Sequence, residues 1–398
     1  TIEPIGDVDG DGLADFVATF GRSLDCNRDH AGAYLVYGSH TRLSGSAPIG
    51  NASAVLQDPA FCTETVHAVG LGDLDGDGKA DFAISRSDAS HPDGTPGFPS
   101  QVLVFYGRGQ RLSGVVDLVA TADATIREPV TGPNAPFVLG AGDLDGDGHS
   151  DLIVSTNTKP GPGYTLRDWL IELRLVRGSA TRLAGEVALG DVASTRLPDI
   201  TCMPAGRIGG RLGDLDGDGA DDFSLADCDT NHPPHFPDNL VHRVFYGNKQ
   251  GLPAQLTNAD AAATITTASS DVISGNDSQL IGGDINGDGT RDLILADQSL
   301  RDSNGGVHLL LGSATRFSGT IDPPARAART YVGTPFLFED CGLDDCNTPE
   351  MVGVGVSLGD VTGDHHPDLL VGAAVWVTNR DGTVVSSSRT YVVSPPTP

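Results

Sequence analysis

The sequence predicts an all-β chain, a six-bladed β-propeller of four-stranded antiparallel blades, with seven blades as the alternative. Three observations predict it. A nine-residue acidic loop recurs six times, a short apolar run follows each copy, and a second phrase recurs between the third and fourth predicted strands. The loops start at Asp7, Asp73, Asp143, Asp214, Asp284 and Asp360, with successive starts 66, 70, 71, 70 and 76 residues apart. They read DVDGDGLAD, DLDGDGKAD, DLDGDGHSD, DLDGDGADD, DINGDGTRD and DVTGDHHPD. Copies in register at such a period mark one structural unit repeated along a single propeller domain, residues 1–398. The repeats span approximately residues 1–65, 66–135, 136–206, 207–276, 277–350 and 351–398.

Within each loop, carboxylates at positions 1, 3, 5 and 9 converge only if the backbone curls tightly, which Gly at position 6 permits. A donor set made wholly of oxygen suits Ca²⁺, with the position-7 carbonyl adding one more ligand. The expected ligands are Asp7, Asp9, Asp11 and Asp15 with the carbonyl of Leu13, then Asp73, Asp75, Asp77 and Asp81 with Lys79. The third and fourth sets are Asp143, Asp145, Asp147 and Asp151 with His149, and Asp214, Asp216, Asp218 and Asp222 with Ala220. The fifth has Asp284, Asn286, Asp288 and Asp292 with Thr290, and the sixth Asp360, Thr362, Asp364 and Asp368 with His366. Up to six Ca²⁺ are expected, the sixth weakest, because Thr362 replaces a carboxylate and His365 the glycine.

An EF-hand needs a bidentate Glu at position 12, where this chain has Ala18, Ile84, Val154, Leu225, Leu295 and Val371. Those residues sit in runs such as Phe82-Ala83-Ile84 and Leu152-Ile153-Val154, which read as buried strands. The loop therefore joins a first strand (Val69-Gly70-Leu71 in repeat two) to a second (Phe82-Ala83-Ile84-Ser85). A third strand follows at Val102-Leu103-Val104-Phe105-Tyr106 and a weaker fourth near Ala124-Thr125-Ile126. Between them lies the second phrase: YGSHTRLSG from Tyr37, YGRGQRLSG from Tyr106, RGSATRLAG from Arg177, YGNKQGLPA from Tyr246 and LGSATRFSG from Leu311. Its glycines fit a turn and its Leu or Phe an inward anchor. The last repeat ends after a third strand, Tyr391 to Val393, so its outer strand is unaccounted for.

Gly at 52 and Pro at 25 of 398 residues suit a turn-rich β-protein. Ligand positions hold 22 of the 53 acidic residues, so six bound Ca²⁺ would bring the formal charge of −28 to about −16. With 25 basic residues dispersed, nothing offers a counterion-releasing surface to nucleic acid, and no run is long and apolar enough to span a membrane. Six cysteines in polar contexts fit an oxidising, calcium-rich compartment. Of the possible connectivities the most local is favoured: Cys26–Cys62, Cys202–Cys228 and Cys341–Cys346. No leader is visible and Thr1 lies six residues before a loop, so the chain reads as a mature or trimmed fragment.

DxDGDGxxD, an apolar strand, and a third strand ending in Tyr-Gly together resemble the FG-GAP repeats of the integrin α-subunit head and its bacterial relatives. The resemblance covers essentially the whole chain. Of the signatures that name that family, Val371-Gly372-Ala373-Ala374 comes closest. The resemblance implies a secreted or cell-surface calcium-binding propeller acting in adhesion or protein recognition, with Ca²⁺ structural; no enzymatic activity is expected, since the aspartates are committed to metal and no catalytic motif accompanies them. It places a protein or glycan ligand on the face opposite the calcium loops. That face carries the long loops, and His91, Phe98, His232, His235 and Phe236 are candidate contacts. Phe98 and Phe236 could equally plug gaps between blades, and His232 and His235 could hold a transition metal with Asp229.

Two other functions stay open. A lectin would stack sugars on aromatic rings, and the only tryptophans, Trp169 and Trp376, are not at equivalent repeat positions. Repeats of this kind also accompany hydrolases, but no Gly-x-Ser-x-Gly or His-Glu-x-x-His motif is present.

Overall fold

The computed structural model describes residues 2–20, 31–41, 48–58, 63–88, 101–127, 138–158, 170–200, 209–228, 239–268, 278–298, 300, 305–333, 335–337, 347–349, 351–359, 361, 367–378 and 384–393. It is an all-β six-bladed propeller, so the seven-blade alternative is set aside. The chain falls into two compact units, Thr1–Thr201 with Lys249–Thr257, and Cys202–Asn248 with Asn258–Pro398.

In the first unit, blade one is built from β1 (Ile2–Gly6), β2 (Asp15–Phe20), β3 (Gly32–Val36) and β4 (Ala54–Gln57). Blade two comprises β5 (Thr63–Gly72), β6 (Asp81–Asp88), β7 (Gln101–Phe105) and, after the short β8 (Gly114–Asp117), β9 (Ala124–Arg127). Blade three comprises β10 (Val138–Gly142), β11 (Asp151–Thr158), β12 (Leu170–Val176) and, after β13 (Gly185–Ala188), β14 (Ala193–Ile200).

In the second unit, blade four runs through β15 (Gly209–Gly213), β16 (Asp222–Cys228), β17 (Asn239–Phe245) and β18 (Ala263–Ala268). Blade five has β19 (Ser278–Gly283), β20 (Asp292–Asp297), β21 (Gly306–Leu310) and, after β22 (Gly319–Ile321), β23 (Arg329–Val332). A small hairpin of β24 (Pro335–Leu337) and β25 (Asn347–Pro349) precedes blade six: β26 (Met351–Gly359), β27 (Asp368–Thr378) and β28 (Val384–Val393). Blade six thus has three strands among the described residues, as the repeat pattern anticipates.

Every acidic loop joins a first strand to a second. In four blades the first strand is bulged immediately before the loop, between Pro4 and Gly6, Gly70 and Gly72, Gly140 and Gly142, and Arg211 and Gly213. The extra residue bends the strand into the turn.

The second phrase does more than turn the chain. After it, β8 pairs in parallel with β4, β13 with β9, and β22 with β18. Repeats two, three and five thus each lend a fifth strand to the outer edge of the blade before them. The repeat-four phrase does the same with one bridge, Arg196 to Gln255, which is why Lys249–Thr257 belongs to the first unit. The four antiparallel strands expected per blade are present in blades one to five, and the lent strand is an addition to them. The lent strands are only three or four residues long and lack strict alternation, so their pattern does not separate them from turn.

The core lies between adjacent blades. Ile5, Leu35 and Leu56 of blade one pack with Phe82, Leu103 and Phe105 of blade two, all nearly inaccessible. The Phe82 and Phe105 rings stack at 4.7 Å, and Phe223 and Phe245 repeat the pair in blade four at 5.2 Å. Leu215, Leu280 and Leu293 fill the space between blades four and five. Burying side chains of this size contributes about 1.5–3 kcal/mol each, which makes neighbouring blades within each unit mutually dependent. Among the described residues no helix is long and apolar enough to cross a membrane.

His242 on β17 is fully buried, with Nε2 2.7 Å from Ser278 Oγ on β19 and Nδ1 without a partner. Burial lowers its pKa to about 4, below the ordinary value near 6.5 in the unfolded chain. Its neutral form therefore supports the fold above about pH 6.5, and that support is lost as pH falls towards 4. His242→Gln is expected to remove up to about 3 kcal/mol of acid sensitivity across this window. Denaturant titrations of both proteins from pH 7 to about pH 4 check it; parallel curves would refute the assignment.

Candidate metal centre

The loops are curled by their own carboxylates. In loop one, Asp7 accepts the N–H groups of Gly10, Asp11 and Gly12 at 2.7, 3.1 and 2.7 Å. Asp73, Asp214 and Asp284 accept the matching three at 2.7–3.1 Å. Position 3 accepts the N–H of position 5 in loops one, two, four and five, from Asp9, Asp75, Asp216 and Asn286. The position-6 glycines adopt φ of 84–90°, from Gly78 to Gly148, as the tight curl requires. Position 4 needs the same conformation, with Gly10 at 76° and Gly76 at 73°, a demand the sequence reading did not single out.

Position 9 has a second task. Asp15, Asp81, Asp151, Asp222 and Asp292 each accept the N–H of loop position 2 on Oδ2, at 2.7–3.0 Å. On Oδ1 they accept the glycine closing the third strand: Gly38, Gly107, Gly178, Gly247 and Gly312, at 2.6–3.0 Å. One carboxylate therefore ties loop, second strand and third strand together. Burial pushes Asp81, Asp151 and Asp222 up to about 7, against the opposing effect of those N–H groups. The nearby position-1 and position-3 carboxylates push the same way. Asp7 moves in the opposite direction: its slight burial is outweighed by the N–H groups of Gly12, Gly10 and Asp11, which hold it below the usual range.

Four carboxylate triads have oxygens within 4.8 Å of one another: Asp7, Asp9 and Asp15; Asp73, Asp75 and Asp81; Asp143, Asp145 and Asp147; Asp214, Asp216 and Asp218. Oδ1 of Asp145 is buried without a hydrogen-bond partner. An orphaned carboxylate oxygen inside an all-oxygen cluster is what a hard cation would satisfy, so these residues fit Ca²⁺. Loop five keeps the same bonding with the neutral Asn286 in place of one carboxylate. Leu13, Lys79, His149 and Thr290 are partly buried at position 7, and Ala220 is buried there. Of loop six only Val361 and the end of the turn are described, and Val361 N–H donates to the buried Asp368 at 3.0 Å. Asp360, Thr362, Asp364 and His366 lie outside the described residues, as do His91, Phe98, His232, His235, Phe236, Trp169, Cys26, Cys62, Cys202, Cys341 and Cys346. Cys228 is described only as the end of β16.

The structure adds residues the sequence reading took for turn. Arg111 of the second phrase reaches back to loop one, its Nε donating to Asp9 and its Nη2 to Asp11 at 2.6 Å. Arg182 does the same to Asp75 and, at 2.9 Å, Asp77 of loop two. Arg316 does so to Asp216 and, at 3.2 Å, Asp218 of loop four. Each guanidinium also lies over the tyrosine heading the previous phrase, Arg111 on Tyr37 and Arg182 on Tyr106 at 4.9 Å, and Arg316 on Tyr246 at 4.5 Å. Those tyrosine hydroxyls accept the N–H of Leu112, Leu183 and Phe317 at 2.8–2.9 Å. The signal was available as a fixed spacing: an arginine five residues after the tyrosine position, facing a loop one repeat earlier.

No family model matches the chain, and no curated protein matches it. Among solved structures it is similar to a subtype N11 neuraminidase-like protein of A/flat-faced bat/Peru/033/2010 (H18N11). The identity is 9%, over 100% of this chain and 87% of that one, with a TM-score of 0.38. It is also similar to xylan β-1,4-xylosidase from Bacillus halodurans C-125, at 12% identity over 80% of this chain and 54% of that one, with a TM-score of 0.31. At these scores neither likeness bears on function, and the chain is grouped by its own blades and acidic loops.

Proposed function

We propose that this chain is a secreted or cell-surface propeller in which Ca²⁺ stiffens the blades, and that it acts in adhesion or protein recognition rather than catalysis. The observation that carries the reading is the set of four aspartate triads on loops already curled by their own backbone. Asp7, Asp9 and Asp15 and their counterparts would hold the ion, which would supply charge neutralisation and cross-linking within the loop. The buried position-9 carboxylates each accept two backbone N–H groups, which suits a support and not a proton-transfer group. Sharing position-3 and position-5 carboxylates with arginine lowers the charge left for the cation, which suits the weaker sites used at extracellular calcium concentrations. The ligand-binding part is assigned to the connections away from the loops.

Metal analysis of the full chain after dialysis against calcium is expected to return at least four ions per chain, matching the four triads. Panels of extracellular proteins and of glycans, probed with calcium and with chelator, are expected to give calcium-dependent protein hits. A metal-free chain would overturn the calcium reading. Hits confined to glycans would replace protein recognition by a lectin role.

A further inference from the structure

Loop three breaks the arginine rule, and the way it breaks it is informative. The repeat-four phrase has Gly251 where the others have arginine, so it has no arginine at the position from which the others reach back to a loop. The third phrase, in turn, has Arg177 where phrases one, two and four have tyrosine. Arg177 supplies the missing guanidinium from its own repeat, with Nη1 3.0 Å from Asp145 Oδ2 and Nη2 3.4 Å from the carbonyl of Leu252. A Cβ at Gly251 would lie 2.8 Å from Nη2 of Arg177, and Gly251 has φ of 82°. The glycine is therefore the space into which Arg177 reaches. Two changes 74 residues apart, tyrosine to arginine at 177 and arginine to glycine at 251, compensate one another and keep one guanidinium on the loop.

We propose that this guanidinium is a standing counter-ion of the acidic loop. It holds the position-3 carboxylate, and in loops one, two and four also position 5, in place when no metal is bound, while fastening the loop to the following phrase. The Tyr–Arg pair (Tyr37 with Arg111, Tyr106 with Arg182, Tyr246 with Arg316) and the Arg–Gly pair (Arg177 with Gly251) are then interchangeable solutions to one requirement. Arg111, Arg182, Arg316 and Arg177 are positioning residues for the loops. The electrostatic reason is direct. Three or four carboxylates close together repel, a cation offsets that repulsion, and a guanidinium on Oδ2 of the position-3 carboxylate does so while leaving its Oδ1 to other partners. It follows that the arginine matters most when calcium is absent.

The test combines one pair swap with one buffer change and rests only in part on the calcium reading. In the full chain, Arg182→Gly is expected to lower the thermal midpoint by about 5 °C in chelator and by clearly less in saturating calcium. Arg177→Met should do the same through loop three. Tyr106→Arg alone should also destabilise, because two guanidinium groups would then crowd one site. The double variant Tyr106→Arg/Arg182→Gly, which installs the loop-three solution in loop two, is expected to recover most of either loss. Losses equal in both buffers would reduce the arginine to packing and overturn the counter-ion role. A double variant no better than the two singles combined would overturn the interchange. Should the wild-type midpoint ignore chelator, the calcium reading fails by itself, and the pair swap in either buffer still decides this one.

Discussion

Chelating divalent metal is expected to lower the thermal midpoint of the full chain by about 10 °C or more, with millimolar calcium restoring it. Each triad places three carboxylates within 4.8 Å, in loops whose curl brings like charges together. A site held at about a hundred times its dissociation constant contributes about 2.7 kcal/mol, so several sites acting on one fold reach roughly 10 kcal/mol. At roughly 2–4 °C per kcal/mol for domains of about 150–250 residues, even half of that is a large displacement. Magnesium is expected to substitute poorly, since it demands a smaller and more regular shell than these curled loops present. Calorimetric or fluorescence melts in chelator, calcium and magnesium decide it. A midpoint indifferent to all three would end the structural-calcium assignment.

The largest effect expected from one substitution lies at position 9. Asp222→Ala removes the acceptor of Leu215 N–H at 2.7 Å and of Gly247 N–H at 2.8 Å, in a site 1% accessible. Leaving two buried donors unpaired costs about 1–3 kcal/mol each, so a loss of roughly 3 kcal/mol or more is expected. Asp222→Asn should be nearly as harmful, because its NH₂ group would face one of the two N–H donors. Asp288→Ala, at exposed position 5 of loop five, is the control and should cost about 1 kcal/mol or less in chelator. Measuring all three in chelator separates the support role from metal binding. Comparable losses at Asp222 and Asp288 would show that position 9 supports nothing beyond the ion.

Much of this was legible in the chain. Blade number, the first-to-second-strand position of each loop and the cores of the second strands follow from the six-fold loop pattern: Phe82-Ala83-Ile84-Ser85 lies within the strand Asp81–Asp88. The position-6 glycines were legible because positive φ has a residue signature. The dual role of position 9 was not, because a carboxylate bound to backbone N–H groups has no pattern distinct from one bound to metal. The arginine recurs at a fixed spacing in the phrase, but its partner was not legible, since Arg182 and Asp75 lie 107 residues apart and only the offset of one repeat brings them together. The parallel strands β8, β13 and β22 have no sequence signal of their own, because they are too short to alternate.

Those lent strands put the folded frame out of step with the written one. Cutting at a sequence boundary, for instance just after residue 135, would strip β9 of its cover and leave its hydrogen-bonding edge bare. A fragment carried on through Ala188 would keep that cover, but it would also bring in β10–β12 without β14, the outer strand of the third sheet. A cut after any of the first four sheets removes the strand or bridge that the next repeat lends to it. Lengthening or shortening such a protein by whole repeats therefore keeps its seams matched only when the exchange copies the overlap as well.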